Sequence, residues 1–184
     1  SENDTAKVLV NKVESFVTVN VDNITVGDVA VVNITVPADA TGNVTVVVTN
    51  ETGGVVYNQT HDLTNGAVTV PVDDLVAGKY NVTVSYNGDD NYRHADGNAN
   101  FTVNKIDPSI LVNASDIDYH DSETINVTVN DDATGTVSIT VTNEDGDVVY
   151  SNSSELSGSK ASFTIPDLSA GKYNVTVEYS GDNN

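Results

Sequence analysis

The amino-acid sequence predicts an all-β chain built as two tandem copies of a sandwich of about seven antiparallel strands. Three observations predict it. First, 38% of the 184 residues are hydrophobic, and these are mostly Val with some Ile, Tyr and Phe, while Cys, Met and Trp are absent. Val, Ile and Thr lose rotamer freedom in a helix but pack well on a pleated surface. Second, no window of helical length carries an apolar stripe at the 3.6-residue period, so little or no helix is expected. Third, the sequence matches itself at a constant offset of 93 residues, without insertion or deletion.

The repeat is read from several short matches. Asn11-Lys12 returns as Asn104-Lys105, Ala40-Thr41-Gly42 as Ala133-Thr134-Gly135, and Val48-Thr49-Asn50-Glu51 as Val141-Thr142-Asn143-Glu144. The longest match runs from Ala77 to Val84 and from Ala170 to Val177. The expected organisation is a final strand left over from a preceding repeat (1–11), a first repeat (12–104), and a second repeat (105–184) that lacks its last strand.

Within the first copy, alternation and punctuation predict strands at Phe16–Val21, Val29–Val36, Asn43–Thr49, Val55–Tyr57, Ala67–Val72, Tyr80–Tyr86 and Asn98–Asn104. Gly27-Asp28, Gly53-Gly54, Asn65-Gly66 and Ala77-Gly78 are among the turn signals between them. Period two puts Tyr80, Val82, Val84 and Tyr86 on the core face, and Tyr173, Val175, Val177 and Tyr179 are expected to do the same in the second copy. Strands with one apolar face must be covered by a second sheet, which a sandwich provides. Tyr80 and Tyr173 each follow a tight turn into the penultimate strand, the place of a tyrosine corner; a tyrosine that only fills core volume is the competing reading.

A net charge of -20 argues against nucleic acid and against direct contact with an anionic membrane. No apolar run is long enough to span a bilayer, so an anchor would lie outside these residues. Without cysteine there is no disulfide, thiolate nucleophile or Cys-based zinc site.

Candidate chemistry is sparse. Asn-x-Ser/Thr occurs at Asn3, Asn23, Asn33, Asn43, Asn50, Asn58, Asn81, Asn100, Asn113, Asn126, Asn152 and Asn174. Asn23, Asn33, Asn43, Asn81, Asn126 and Asn174 are the possible glycan acceptors, although a chain rich in Asn, Val and Thr makes this tripeptide by chance. Asp89, Asp90 and Asp96 of one repeat and Asp118 and Asp121 of the next would supply oxygen ligands for calcium at the junction. Solvated loop charge is the stronger reading of these aspartates, and no other cofactor is implied. A Lys–Asn isopeptide bond would join Lys12 to Asn104 or Asn100. His61 aligns with Ser154 and His120 with Gly27, the second copy ends before a match for His94, no phosphate loop or nucleophile elbow is present, and an enzyme is not expected.

Asn43-Val44-Thr45-Val46, the Leu75–Tyr80 turn and Tyr86-Asn87-Gly88-Asp89-Asp90-Asn91-Tyr92 resemble the bacterial-Ig-like repeats of archaeal adhesin-like surface proteins, especially those of methanogens. Phe101-Thr102-Val103-Asn104-Lys105 also looks like the last strand of one such domain running into the next. The resemblance implies immunoglobulin-like sandwiches, an extracellular cell-surface location and a stalk role in attachment, with no catalytic residues. On that alignment Lys7-Val8-Leu9-Val10 is a spare strand. It is expected either to pair into the strand slot of a neighbouring molecule's second domain or to add locally to the first domain.

Two functions follow. The first is a spacer whose immediate partners are neighbouring repeats of the same chain. The second is a domain that itself binds a glycan or surface protein on another cell, through Tyr92, Tyr119 or Phe16.

Overall fold

Alternating apolar and polar residues produce the strands of a computed structural model that describes residues 4–184. The chain divides into a first unit ending at Lys105 and a second running from Ile106 to Asn184. The first contains β1 (Thr18–Asn20), β2 (Ile24–Thr25), β3 (Ala30–Thr35), β4 (Asn43–Asn50), β5 (Val55–Asp62), β6 (Ala67–Val72), β7 (Gly78–Tyr86) and β8 (Ala95–Asn104). One sheet has the order β1-β3-β6 and the other β2-β8-β7-β4-β5. All pairings are antiparallel except β2 with β8.

Period two places the core where the alternation predicts it. Val32 and Ile34 of β3, Val44, Val46 and Val48 of β4, and Val82 and Val84 of β7 are almost wholly removed from solvent. Each such side chain contributes about 1.5–3 kcal/mol of hydrophobic stabilisation. Pro71 is tolerated because β6 is an edge strand, where a missing N–H breaks no ladder. At the β4–β5 hairpin, the Asn50 side-chain oxygen accepts from the N–H groups of Thr52 and Gly54, at 3.2 and 2.8 Å, and fixes the turn.

The second unit repeats this plan. Its strands are β9 (Leu111–Asn113), β10 (Glu123–Thr128), β11 (Thr136–Thr142), β12 (Val148–Glu155), β13 (Lys160–Ile165) and β14 (Asn174–Tyr179), in sheets β9-β10-β13 and β12-β11-β14. Even the irregularities recur: the β4–β5 ladder slips between Val48 and Thr49, and β11–β12 slips between Val141 and Thr142. The Asn65-Gly66 turn becomes Gly158-Ser159, with both residues of each pair at positive φ. Ser159 thus holds a backbone conformation that favours glycine, at φ 63°.

Four readings are corrected. The fourth strand extends from Val55 to Asp62 rather than to Tyr57, because an edge strand paired along the whole of β4 carries little apolar alternation for the eye to follow. β2 was not foreseen; its two residues owe their strand geometry to Val103 and Asn104 of β8, a tertiary contact. Tyr173, Val175, Val177 and Tyr179 are only half-buried, whereas Tyr80, Val82, Val84 and Tyr86 are buried. The reason is that β8 covers β7, and among the described residues no strand lies on the corresponding edge of β14. Residues 7–10 join no sheet, which overturns their local addition to the first unit. Of the 1–11 segment, residues 1–3 lie outside the described residues.

Candidate functional site

The constellation that recurs in both units is a clasp between two loops. In the first unit the turn after β7 brings Asp89 against the loop between β3 and β4. One Asp89 carboxylate oxygen accepts from the Thr41 N–H at 2.8 Å and its hydroxyl at 3.1 Å. The other accepts from the N–H groups of Asn91 and Tyr92, both at 2.8 Å. Tyr86, at the end of β7, donates its hydroxyl to the Thr41 carbonyl at 3.0 Å. Gly88 has φ 81°, and a Cβ there would stand 2.6 Å from the Tyr92 carbonyl oxygen, so the turn needs glycine.

The second unit builds the same object. Asp182 accepts from the Thr134 N–H at 2.8 Å and hydroxyl at 3.2 Å, and from the Asn184 N–H at 2.9 Å. Tyr179 donates to the Thr134 carbonyl at 2.6 Å. Backbone donors stabilise the ionised carboxylates, the Thr41 N–H foremost for Asp89, which is held well below the usual aspartate range. The Thr134 N–H acts likewise on Asp182, lowered to about 2. Burial, followed by the nearby Asp89, pushes the Tyr86 phenol up to about 12.

The remaining candidates are placed as follows. Tyr80 donates its hydroxyl to the Val76 carbonyl at 2.8 Å, and Tyr173 to the Ser169 carbonyl at 2.7 Å, each bond reaching four residues back across the turn. Tyr80 also stacks on Phe101, with ring centroids 5.4 Å apart. Asn23, Asn33, Asn81, Asn126 and Asn174 are exposed, and Asn43 is half-buried. The Asn23 side-chain oxygen accepts from the Thr102 N–H at 2.7 Å, and those of Asn33 and Asn126 accept from Thr69 and Ser162. The Asn3 acceptor lies outside the described residues.

Asp89 is engaged in its clasp, and Asp96 accepts from Ser85 at 2.6 Å and from His94 at 3.1 Å. Ser85 first, and then His94, lower the Asp96 pKa. Asp90, Asp118 and Asp121 are exposed. Among the described residues no three His, Cys, Asp or Glu side chains form a group that could hold a metal ion. The exposed Lys12 donates its ammonium to the Asp89 carbonyl, and that position denies it the buried contact with asparagine that an isopeptide bond requires. His61 bonds Tyr57 at 2.8 Å, a pair the second unit does not repeat.

The aromatics separate. Tyr92 is half-buried and donates to Asp39 at 2.6 Å, so it is no exposed platform. Phe16 and Tyr119 are 53% and 62% exposed, and Tyr119 lies against the His120 ring. In the second unit a cleft of about 720 Å³ opens beside β14, among Ile117, Tyr119, Glu123, Leu168 and Tyr173. Sequence reasoning missed Thr41 and Thr134 as clasp partners; their recurrence in the repeated Ala-Thr-Gly turn was the available signal.

The two units share one strand register and one clasp. Residues 111–184 match the Bacterial Ig-like domain (group 3) family. The chain is built of tandem Ig-like β-sandwiches. Among solved structures it is similar to the BSP domain of a biofilm associated protein, at 22% identity and a TM-score of 0.36, covering 90% of this chain but 27% of that one. It is also similar to a segment of two fibronectin type-III domains from chicken tenascin, at 13% identity and a TM-score of 0.44, covering 87% of each chain. No curated protein matches. The resemblance to archaeal, methanogen proteins is corrected by the family match over residues 111–184, which is to a bacterial Ig-like domain. The physical reason lies in the clasp: the Tyr-x-Gly-Asp phrase is what this loop geometry requires, and so it reports the fold rather than a lineage.

Proposed function

We propose that the chain is a structural spacer module of an extracellular, adhesin-like protein, working at the cell surface with neighbouring repeats as its immediate partners. The observation that carries this is the content of the repeat. Apart from the sequons at Asn33/Asn126 and Asn81/Asn174, what the two units share is architectural: strand register, ladder slip, clasp and turn-closing tyrosine bond. The candidate base His61 and the exposed Tyr119 each stand in one unit only, where the other has Ser154 and Val26. A function common to all modules is therefore a mechanical one, and the charge of -20 favours a soluble, self-repelling array. Glycans on the exposed sequons belong to the same reading, and the intact mass of the native protein tests them.

Small-angle scattering tests the spacer. A single compact body of 184 residues would have a radius of gyration of about 16 Å. A spacer gives a clearly larger value, and a value near 16 Å removes this reading. A second function, direct binding of a glycan or surface protein on another cell, is favoured by one observation, the exposed Tyr119 at the rim of the cleft. Whole-cell binding that is lost in Tyr119→Ala would support it over the spacer.

A further inference from the structure

The larger sheet of the first unit carries a polar groove of about 530 Å³ on its outward face. Its floor is β7 and β8, where Lys79 stands opposite Thr102 and Asn81 opposite Asn100. Glu51, in the β4–β5 turn, forms one wall, and Asn23 forms the other, its side-chain oxygen bound to the Thr102 N–H. From β4 across β7 to β8 are two strand spacings, about 10 Å in all. The rings of Tyr80 and Phe101 beneath are buried and give the groove no apolar platform.

The half of this groove supplied by β4, β7 and the turn after β4 recurs. Asn50, Glu51, Lys79 and Asn81 return as Asn143, Glu144, Lys172 and Asn174. Packing accounts for the recurrence of Val82 and Val84, but Glu51, Lys79 and Asn81 are exposed and build no core. Farther along the same outward face the copies diverge: Thr45 becomes Ser138, Val47 becomes Thr140 and Ser85 becomes Glu178. A sequon would require Asn81 and Thr83 to recur, and neither Glu51 nor Lys79. An ion pair does not account for those two, since neither takes part in a salt bridge among the described residues.

We propose that this groove binds a neutral sugar, as one or two rings of a polysaccharide. Each asparagine amide offers both donors and an acceptor, which matches hydroxyl groups that themselves donate and accept. Lys79 adds further donors and Glu51 a further acceptor, and their opposite charges leave the groove locally neutral. The chain's net charge of -20 repels an anionic ligand, and a cationic one finds carboxylates over the rest of the surface. A shallow groove without a stacking ring holds a single sugar weakly, so millimolar dissociation is expected. The inference goes beyond the spacer reading and does not depend on it: scattering tests that one, and sugar binding this one.

NMR titration of the 184-residue chain, made in a host that attaches no glycan to Asn23, Asn50, Asn81 or Asn100, provides the test. The probes are neutral oligomers of glucose, galactose, mannose and N-acetylglucosamine, beside a uronic-acid oligomer and a lysine peptide. A neutral oligomer should move the backbone amide signals of Lys79, Asn81, Asn100 and Thr102 saturably. The double variant Glu51→Ala, Lys79→Ala should weaken that binding about tenfold or more. Its thermal transitions should not change, because both side chains are exposed and neither is in a salt bridge among the described residues. Tyr119→Ala, in the other unit, should bind as the wild type does. The proposal is overturned if no neutral oligomer moves these signals at millimolar concentration, or if the double variant binds undiminished. Equal response to the uronic-acid oligomer or the lysine peptide overturns it too, as does binding that Tyr119→Ala abolishes.

Discussion

Asp89 and Asp182 hold their loops as acceptors of backbone N–H groups, and this makes their ionisation part of stability. Both are shifted below the ordinary aspartate value of 3.8. A carboxylate depressed on folding stabilises fully above its unfolded pKa, and that contribution is lost as pH falls through the folded value. Stability from the clasps should therefore be constant above about pH 4 and decline from there to pH 2 and below, as measured by chemical denaturation. Asp89→Asn should lower the melting temperature of the first unit at neutral pH and flatten its acid decline, leaving that of the second unit in place. Tyr80→Phe removes the bond to Val76 and should cost about 0.5–1.5 kcal/mol. These roles were only half legible in the sequence. The Tyr-x-Gly-Asp motif and its repetition are visible, but the aspartate reads as solvated loop charge or a calcium ligand because its real partner, Thr41, lies 48 residues away.

At the scale of elements, β7 and β14 are near-copies in sequence with unequal surroundings. Val82 is buried and Val175 half-exposed. Val82→Ala should cost about 2 kcal/mol, from lost transfer energy and the cavity left behind. Val175→Ala should cost clearly less, and paired denaturation curves give the comparison. Periodicity made the two sheets and their core faces legible, because an alternating strand names its own buried side. It could not tell how fully that side is buried, since burial of β14 depends on a covering strand and not on β14 itself. The two residues of β2 escaped for the same reason. Ile24 and Thr25 pair with Val103 and Asn104, whereas the equivalent Ile117 and Asp118 join no strand among the described residues.

For the whole molecule, two cores of unequal closure imply two unfolding events. Calorimetry of the dilute chain should resolve a lower transition from the second unit and a higher one from the first; one merged two-state transition would contradict this. The tandem plan itself was legible, because a constant offset of 93 residues leaves little room for a different fold in either copy.

The parallel pairing of β2 with β8 carries a consequence for tension. β2 comes near the start of the first unit and β8 ends it, and the Asn23 side chain adds a bond to the Thr102 N–H at 2.7 Å. When a tether pulls the unit from both sides, two parallel strands at its ends are dragged lengthwise past each other. Their bonds are then loaded together in shear rather than opened one by one like a zipper. Force spectroscopy should find that Asn23→Ala lowers the rupture force of the first unit more than it lowers its melting temperature. The small strand that adds least to the core would be the one that bears the load.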